Sequence, residues 1–156
     1  LAGTHARDKD AVSSSMLIAE MAAYYKSQGM TLIDALNGVY AKYGYYYDCL
    51  ETLVLKGKAG AEKICAAMSA LRAEGGGLFD DIEHVSDYLT GIDDLPRENV
   101  LRFEFNDGSW VAVRPSGTEP KLKLYFSVRG EDRRSAEQRQ KAIRNALFVV
   151  IDKIKV

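Results

Sequence analysis

From Leu101 to Val128 the chain reads Leu-Arg-Phe-Glu-Phe-Asn-Asp-Gly-Ser-Trp-Val-Ala-Val-Arg-Pro-Ser-Gly-Thr-Glu-Pro-Lys-Leu-Lys-Leu-Tyr-Phe-Ser-Val. Leu101, Phe103 and Phe105 alternate with Arg102, Glu104 and Asn106, the period of a strand with one buried face. Asn106-Asp-Gly108 is hairpin-turn chemistry, and Ser109 to Arg114 is the return strand. After Pro115 to Pro120, Leu122, Leu124, Phe126 and Val128 alternate with Lys121, Lys123, Tyr125 and Ser127 in a third strand. Three consecutive strands of this kind predict an antiparallel sheet.

Ile82 to Tyr88 adds a strand before the hairpin. Ala136, Ile143, Leu147, Val150 and Ile154 mark a long amphipathic helix after it, with Ser135 near its start and Lys153 and Lys155 at its negative end. Upstream, Val12, Met16, Ala19, Ala22 and Ala23 recur at helical spacing from Ala11 to Ser27, with Asp8 or Asp10 as cap and Gly29 as terminator. Thr31 and Asp34 have capping-box spacing before a second helix with Leu32, Leu36, Val39, Tyr40 and Tyr43 on its face, ended by Gly44. Tyr45 to Leu55 has β propensity, and Ala59 to Arg72 returns to helix through Ile64, Met68 and Leu71. Gly75-Gly-Gly77 loses too much backbone entropy to sit inside an element, so it is the expected boundary between a unit 1–73 and a unit 74–156. The fold class is α+β.

At 156 residues there is room for one core or two small ones. Lys and Arg total 21 against 22 for Asp and Glu, a formal charge of -1, so no single-sign field recruits nucleic acid or an anionic membrane. Apolar runs such as Ala146 to Ile151 fall far short of the roughly 20 residues of a membrane span. Cys49 and Cys65 have no neighbouring Cys or His to complete a zinc pattern and read as free thiols of a reducing cytoplasm. The start at Leu1 without methionine reads as part of a longer protein.

The strongest chemical signal is Arg114-Pro-Ser-Gly-Thr-Glu-Pro120. A phosphate dianion takes convergent donors, and this loop offers the Arg114 guanidinium, the Ser116 and Thr118 hydroxyls and backbone N–H groups around Gly117. Pro115 and Pro120 restrict the loop at both ends. The same residues also make an ordinary tight connection, and residue chemistry alone leaves the two readings level. In Arg7-Asp-Lys-Asp10 the aspartates either serve a solvated helix start, the commoner use of such a pattern, or orient Lys9 toward a substrate oxygen for binding or proton transfer. His5 and His84 lack triad partners, the aromatic run Tyr43 to Tyr47 fits a core wall better than a stacking platform, and no metal-ligand spacing is present.

Arg114-Pro-Ser-Gly-Thr-Glu-Pro-Lys121 between two strands resembles the phosphate-binding loop of the α-D-phosphohexomutases, the phosphoglucomutases and phosphomannomutases, bacterial phosphoglucomutases above all. Asn106 to Val113, Leu122 to Phe126 and the Leu1 to Val12 segment resemble the corresponding parts of that family, the Lys9-Asp10 pair being typical of glucose-type and pentose-type members. The resemblance implies a cytoplasmic enzyme of four domains that interconverts sugar 1-phosphates and 6-phosphates, glucose 1-phosphate and glucose 6-phosphate among them. A phosphoserine in a first domain passes its phosphoryl group through a bisphosphate intermediate, with Mg2+ held by a second domain. Neither the serine nor the Mg2+ ligands are in this chain, so the chain alone is expected to be inactive and to hold no metal. By the same resemblance, residues 1–73 end the third, sugar-binding α/β domain, which would partner the rest of the protein. Residues 74–156 form a last domain like the TATA-binding protein, an antiparallel sheet with helices on one side. Arg114, Ser116, Gly117 and Thr118 would bind the non-transferred phosphate, and Lys9 would contact substrate. A phosphopentomutase-type enzyme, a phosphoglucosamine mutase (for which Arg7 to Asp10 is a poorer match) and a non-catalytic phosphate-binding module are the alternatives.

Overall fold

The computed structural model describes residues 3–4, 6–92 and 94–154. His5 and Lys155 of the sequence reading lie outside them. The chain divides into two compact units, 1–44 and 45–156.

The first unit is a helical hairpin. Helix α1 (Ala11–Ser27) is capped by Asp10, whose Oδ1 accepts from the backbone N–H groups of Val12 and Ser13 at 3.1 Å each. Asp10, and not Asp8, therefore satisfies the free donors of the first turn. Gly29, at φ +72°, takes the left-handed conformation that turns the chain. The capping box expected before α2 (Leu32–Tyr43) is present: Asp34 N–H donates to Thr31 Oγ1 at 3.1 Å, and Thr31 N–H donates to Asp34 Oδ2 at 2.8 Å. The Thr31 hydroxyl, donating to Asp34 Oδ2 at 2.6 Å, and after it the Thr31 N–H hold the Asp34 carboxyl below the usual carboxylate range. Neither helix has a buried residue, so local capping and helix propensity hold the hairpin more than a core does.

In the second unit, β1 (Tyr45–Val54), β2 (Ile82–Asp87), β3 (Leu101–Phe105), β4 (Trp110–Pro115) and β5 (Lys121–Gly130) form one antiparallel sheet in the order β1-β5-β4-β3-β2. Helices α3 (Gly57–Glu74) and α4 (Arg133–Lys153) supply the other layer. The core joins Leu101, Phe103, Phe105, Val111, Val113, Leu122, Leu124, Phe126 and Val128 of the sheet to Ile64, Met68 and Leu71 of α3 and Ile143, Leu147 and Ile151 of α4. The alternate residues face away, half-buried on β3 and most of β5 and exposed at Leu50 and Val54 of β1. A sheet with one helix-covered and one open face is thus the α+β architecture expected, and the register fixes which side chains reach each face.

The unit boundary differs from the expectation. The glycine boundary puts β1 with residues 1–73, but β1 pairs along its whole length with β5, from Tyr45 opposite Gly130 to Val54 opposite Lys121. Glu51 on its covered face accepts from Gln140 Nε2 at 2.8 Å and from Arg144 Nε at 2.6 Å, tying β1 to α4. Gly75–Leu78 forms a 3₁₀ turn inside the unit. It delivers Phe79 edge-on to Phe103 and Phe105, with centroids 5.7 and 5.0 Å apart. Glycine entropy argued for a break, and aromatic burial on the far side of the run outweighs it. The break lies at Gly44 instead, where φ is +95°.

Helix α4 is capped by Asp132, with Ser135 as the reciprocal partner in the box. No described helix is long and apolar enough to cross a membrane.

Candidate functional site

Arg114 lies at the end of β4, and its strand partner places Lys123 of β5 directly opposite it. Both belong to the open face, because their neighbours Val113, Leu122 and Leu124 are the ones buried under the helices. Thr52 of β1 stands opposite Lys123 on its other side. The next row along, Leu50, Tyr125 and Ala112, continues to Arg102 of β3, which is paired with Glu104 at 3.0 Å.

The loop itself is pinned at both ends. Ser116 N–H donates to the Lys121 carbonyl at 2.8 Å, continuing the ladder past Pro115 opposite Leu122. Leu55 N–H, just beyond β1, donates to the Pro120 carbonyl at 3.0 Å. Gly117, Thr118 and Glu119 between these anchors are exposed, and a Cβ on Gly117 would meet no atom within 4 Å. Glu119 receives a hydrogen bond from Lys121 Nζ at 2.8 Å, which with the charge of Lys121 holds its carboxyl below the usual range. The loop therefore carries Arg114, Lys121 and Lys123 against one carboxylate that is already paired. That inventory suits an anion and repels a cation. Among the described residues no three His, Cys, Asp or Glu gather in a way that could hold a metal ion.

The structure keeps Arg114, Ser116, Gly117 and Thr118 together on this one connection and places Lys9 in the first unit, before α1. Lys9 Nζ is 3.7 Å from Asp8 Oδ1, with both side chains almost fully exposed. Asp10 Oδ1 is engaged as the α1 cap. The sequence reading passed over Lys123. Its alternation with Leu122 and Leu124 was the available signal, since residues 121 and 123 share the face that Arg114 occupies.

The family model of the phosphoglucomutase/phosphomannomutase C-terminal domain matches residues 12–146 of this chain. The chain belongs to that family. Among its relatives, the phosphoglucomutase of Staphylococcus saprophyticus is 35% identical over 147 residues, 85% of this chain and 26% of the relative. That of Staphylococcus aureus strain bovine RF122 is 40% identical over 138 residues, covering 79% and 24%. The phosphoglucomutase C-terminal fold is also seen in the crystal structure of the Paramecium exocytosis-sensitive phosphoprotein pp63/parafusin, a phosphoglucomutase in its open form. That structure aligns with a TM-score of 0.65 at 19% identity over 93% of this chain and 28% of its own. The chain spans about a quarter of the length of the curated relatives it matches.

Proposed function

We propose that this chain is the phosphate-gripping portion of a phosphoglucomutase that interconverts glucose 1-phosphate and glucose 6-phosphate through a bisphosphate. The observation that carries the reading is the opposition of Arg114 and Lys123 beside the Pro115 to Pro120 loop. Like charges directly opposite on a sheet are unfavourable alone and favourable when an anion lies between them. Glucose is chosen over mannose, pentose or glucosamine because the relatives are named phosphoglucomutases.

Arg114 engages two oxygens of the phosphate that is not being transferred, and Lys123 adds a point charge across the strand. Ser116, Thr118 and the N–H groups around Gly117 donate to the remaining oxygens. Holding that end of the sugar positions the other end for transfer, so the grip acts through orientation. Lys9, in the first unit, contacts a substrate oxygen. The first unit belongs to the sugar-binding domain and the second to the last domain of the parent enzyme, whose other domains are this chain's partners, in the cytoplasm.

The phosphoserine that the resemblance implies lies in a domain outside this chain, so by itself the chain binds without turnover. The residues around Arg114 do not fit Mg2+. The ion that the resemblance implies belongs to residues outside this chain.

Steady-state kinetics of the parent enzyme test the reading. Arg114→Ala should lose about 2 to 4 kcal/mol of transition-state stabilisation in kcat/KM. Lys9→Ala should lower kcat more than it raises KM. A folded Arg114→Ala enzyme with unchanged kcat and KM removes the phosphate-loop assignment.

A further inference from the structure

We propose that Gly60 is a positioning residue for the phosphate loop, acting through the backbone of Leu55. The proposal rests on the phosphate-binding reading of Arg114 to Pro120 and extends it to a residue in another element.

Gly60 is buried in the first turn of α3, and its φ is not in the left-handed region, so conformation alone does not require glycine there. Space does. A Cβ at this position would lie 2.1 Å from the Leu55 carbonyl oxygen and 2.4 Å from its carbonyl carbon, both backbone atoms that cannot rotate away. Leu55 is the residue whose N–H donates to the Pro120 carbonyl at 3.0 Å. Packing of α3 against Leu55 thus sets where that donor stands, and the donor fixes the C-terminal end of the loop. The β4–β5 ladder and Ser116 N–H on the Lys121 carbonyl hold the two ends as far as Ser116 and Lys121, and the Leu55 bond adds a tie one residue further in, at Pro120. Without the Leu55 bond, Pro120 would lose its tie, the span from Gly117 to Pro120 would loosen, and its donors would converge less well with Arg114.

The unit supplies its own control. A Cβ on Gly130 would lie 2.7 Å from the Ala136 backbone nitrogen, a milder approach that backbone must also relieve. Gly130, however, sits at the opposite end of β5 from Lys121. Both alanine variants should lower the melting temperature, and only Gly60→Ala should disturb the loop.

The test is titration of the full chain with inorganic phosphate, followed by the amide resonances of Gly117 and Thr118, alongside thermal melting. Gly60→Ala should weaken phosphate binding about fivefold, the worth of one hydrogen bond of ordinary strength, and Gly130→Ala should leave it within about twofold. An ester in place of the Leu55 amide deletes the donor while keeping every side chain. It should reproduce the weakening even where Gly60→Ala melts too low to titrate. Wild-type affinity in the ester variant, or equal weakening by Gly130→Ala, overturns the positioning role. Arg114→Ala separates the two ideas: if it too binds phosphate like wild type, the loop assignment itself fails, whereas loss in Arg114→Ala with retention in the ester variant rejects Gly60 and Leu55 alone.

Discussion

Arg114 and Lys123 occupy directly opposed positions in the β4–β5 ladder, two cations on one open face with no carboxylate in their row. Their proximity is a standing repulsion in the absence of ligand. Lys123→Gln should therefore stabilise the ligand-free chain by about 0.5 kcal/mol at low salt, an effect that added salt screens. The same variant should gain less in melting temperature from added phosphate than wild type does. Paired thermal melts with and without phosphate check both halves, and a Lys123→Gln chain that is less stable without ligand and equally stabilised by it goes against a shared anion site.

Cleavage should begin near Gly44. The backbone from Tyr45 onward is hydrogen-bonded to β5, while Gly75–Leu78 is folded back by Phe79 onto the sheet. Limited proteolysis with mass spectrometry should yield a resistant piece beginning close to Tyr45. First cuts between Glu74 and Asp80 point back to the glycine boundary that the sequence suggests.

Glu51 links β1 to α4 through Gln140 and Arg144, and Gln140 is buried. Glu51→Ala leaves two donors without their acceptor, at a cost of about 1 to 3 kcal/mol. Arg144 also lies over the Phe148 ring at 4.0 Å, so Arg144→Ala removes packing as well. Denaturant melts in a double-mutant cycle should show the Glu51 and Arg144 costs to be strongly non-additive. Additive costs would mean that this bridge does not couple the strand to the helix.

The fold was legible wherever burial is one-sided. Leu101 to Phe105 and Leu122 to Val128 alternate cleanly because α3 and α4 cover only one face, and the period names the strand. Thr31 with Asp34 was legible because a capping box is local in sequence. The partner of β1 was not, since pairing Tyr45 with Gly130 is a contact between distant segments, and nothing in Tyr45 to Val54 names β5. Within the site, Arg114 and the loop could be read from residue types. Lys123 needed the register, and Gly60 needed the distance to a backbone carbonyl that no sequence pattern encodes.

The central claim is that Arg114 and the loop it begins grip the phosphate of a sugar phosphate. Titration of the full chain with glucose 6-phosphate, read by amide chemical shifts, tests it most directly. Saturable shifts centred on Gly117, Thr118 and the Arg114 strand end are expected, weakened in Arg114→Lys because a point charge cannot replace the bidentate fork, and lost in Arg114→Ala. Shifts centred elsewhere in the chain, or shifts that persist unchanged in Arg114→Ala, would contradict the account.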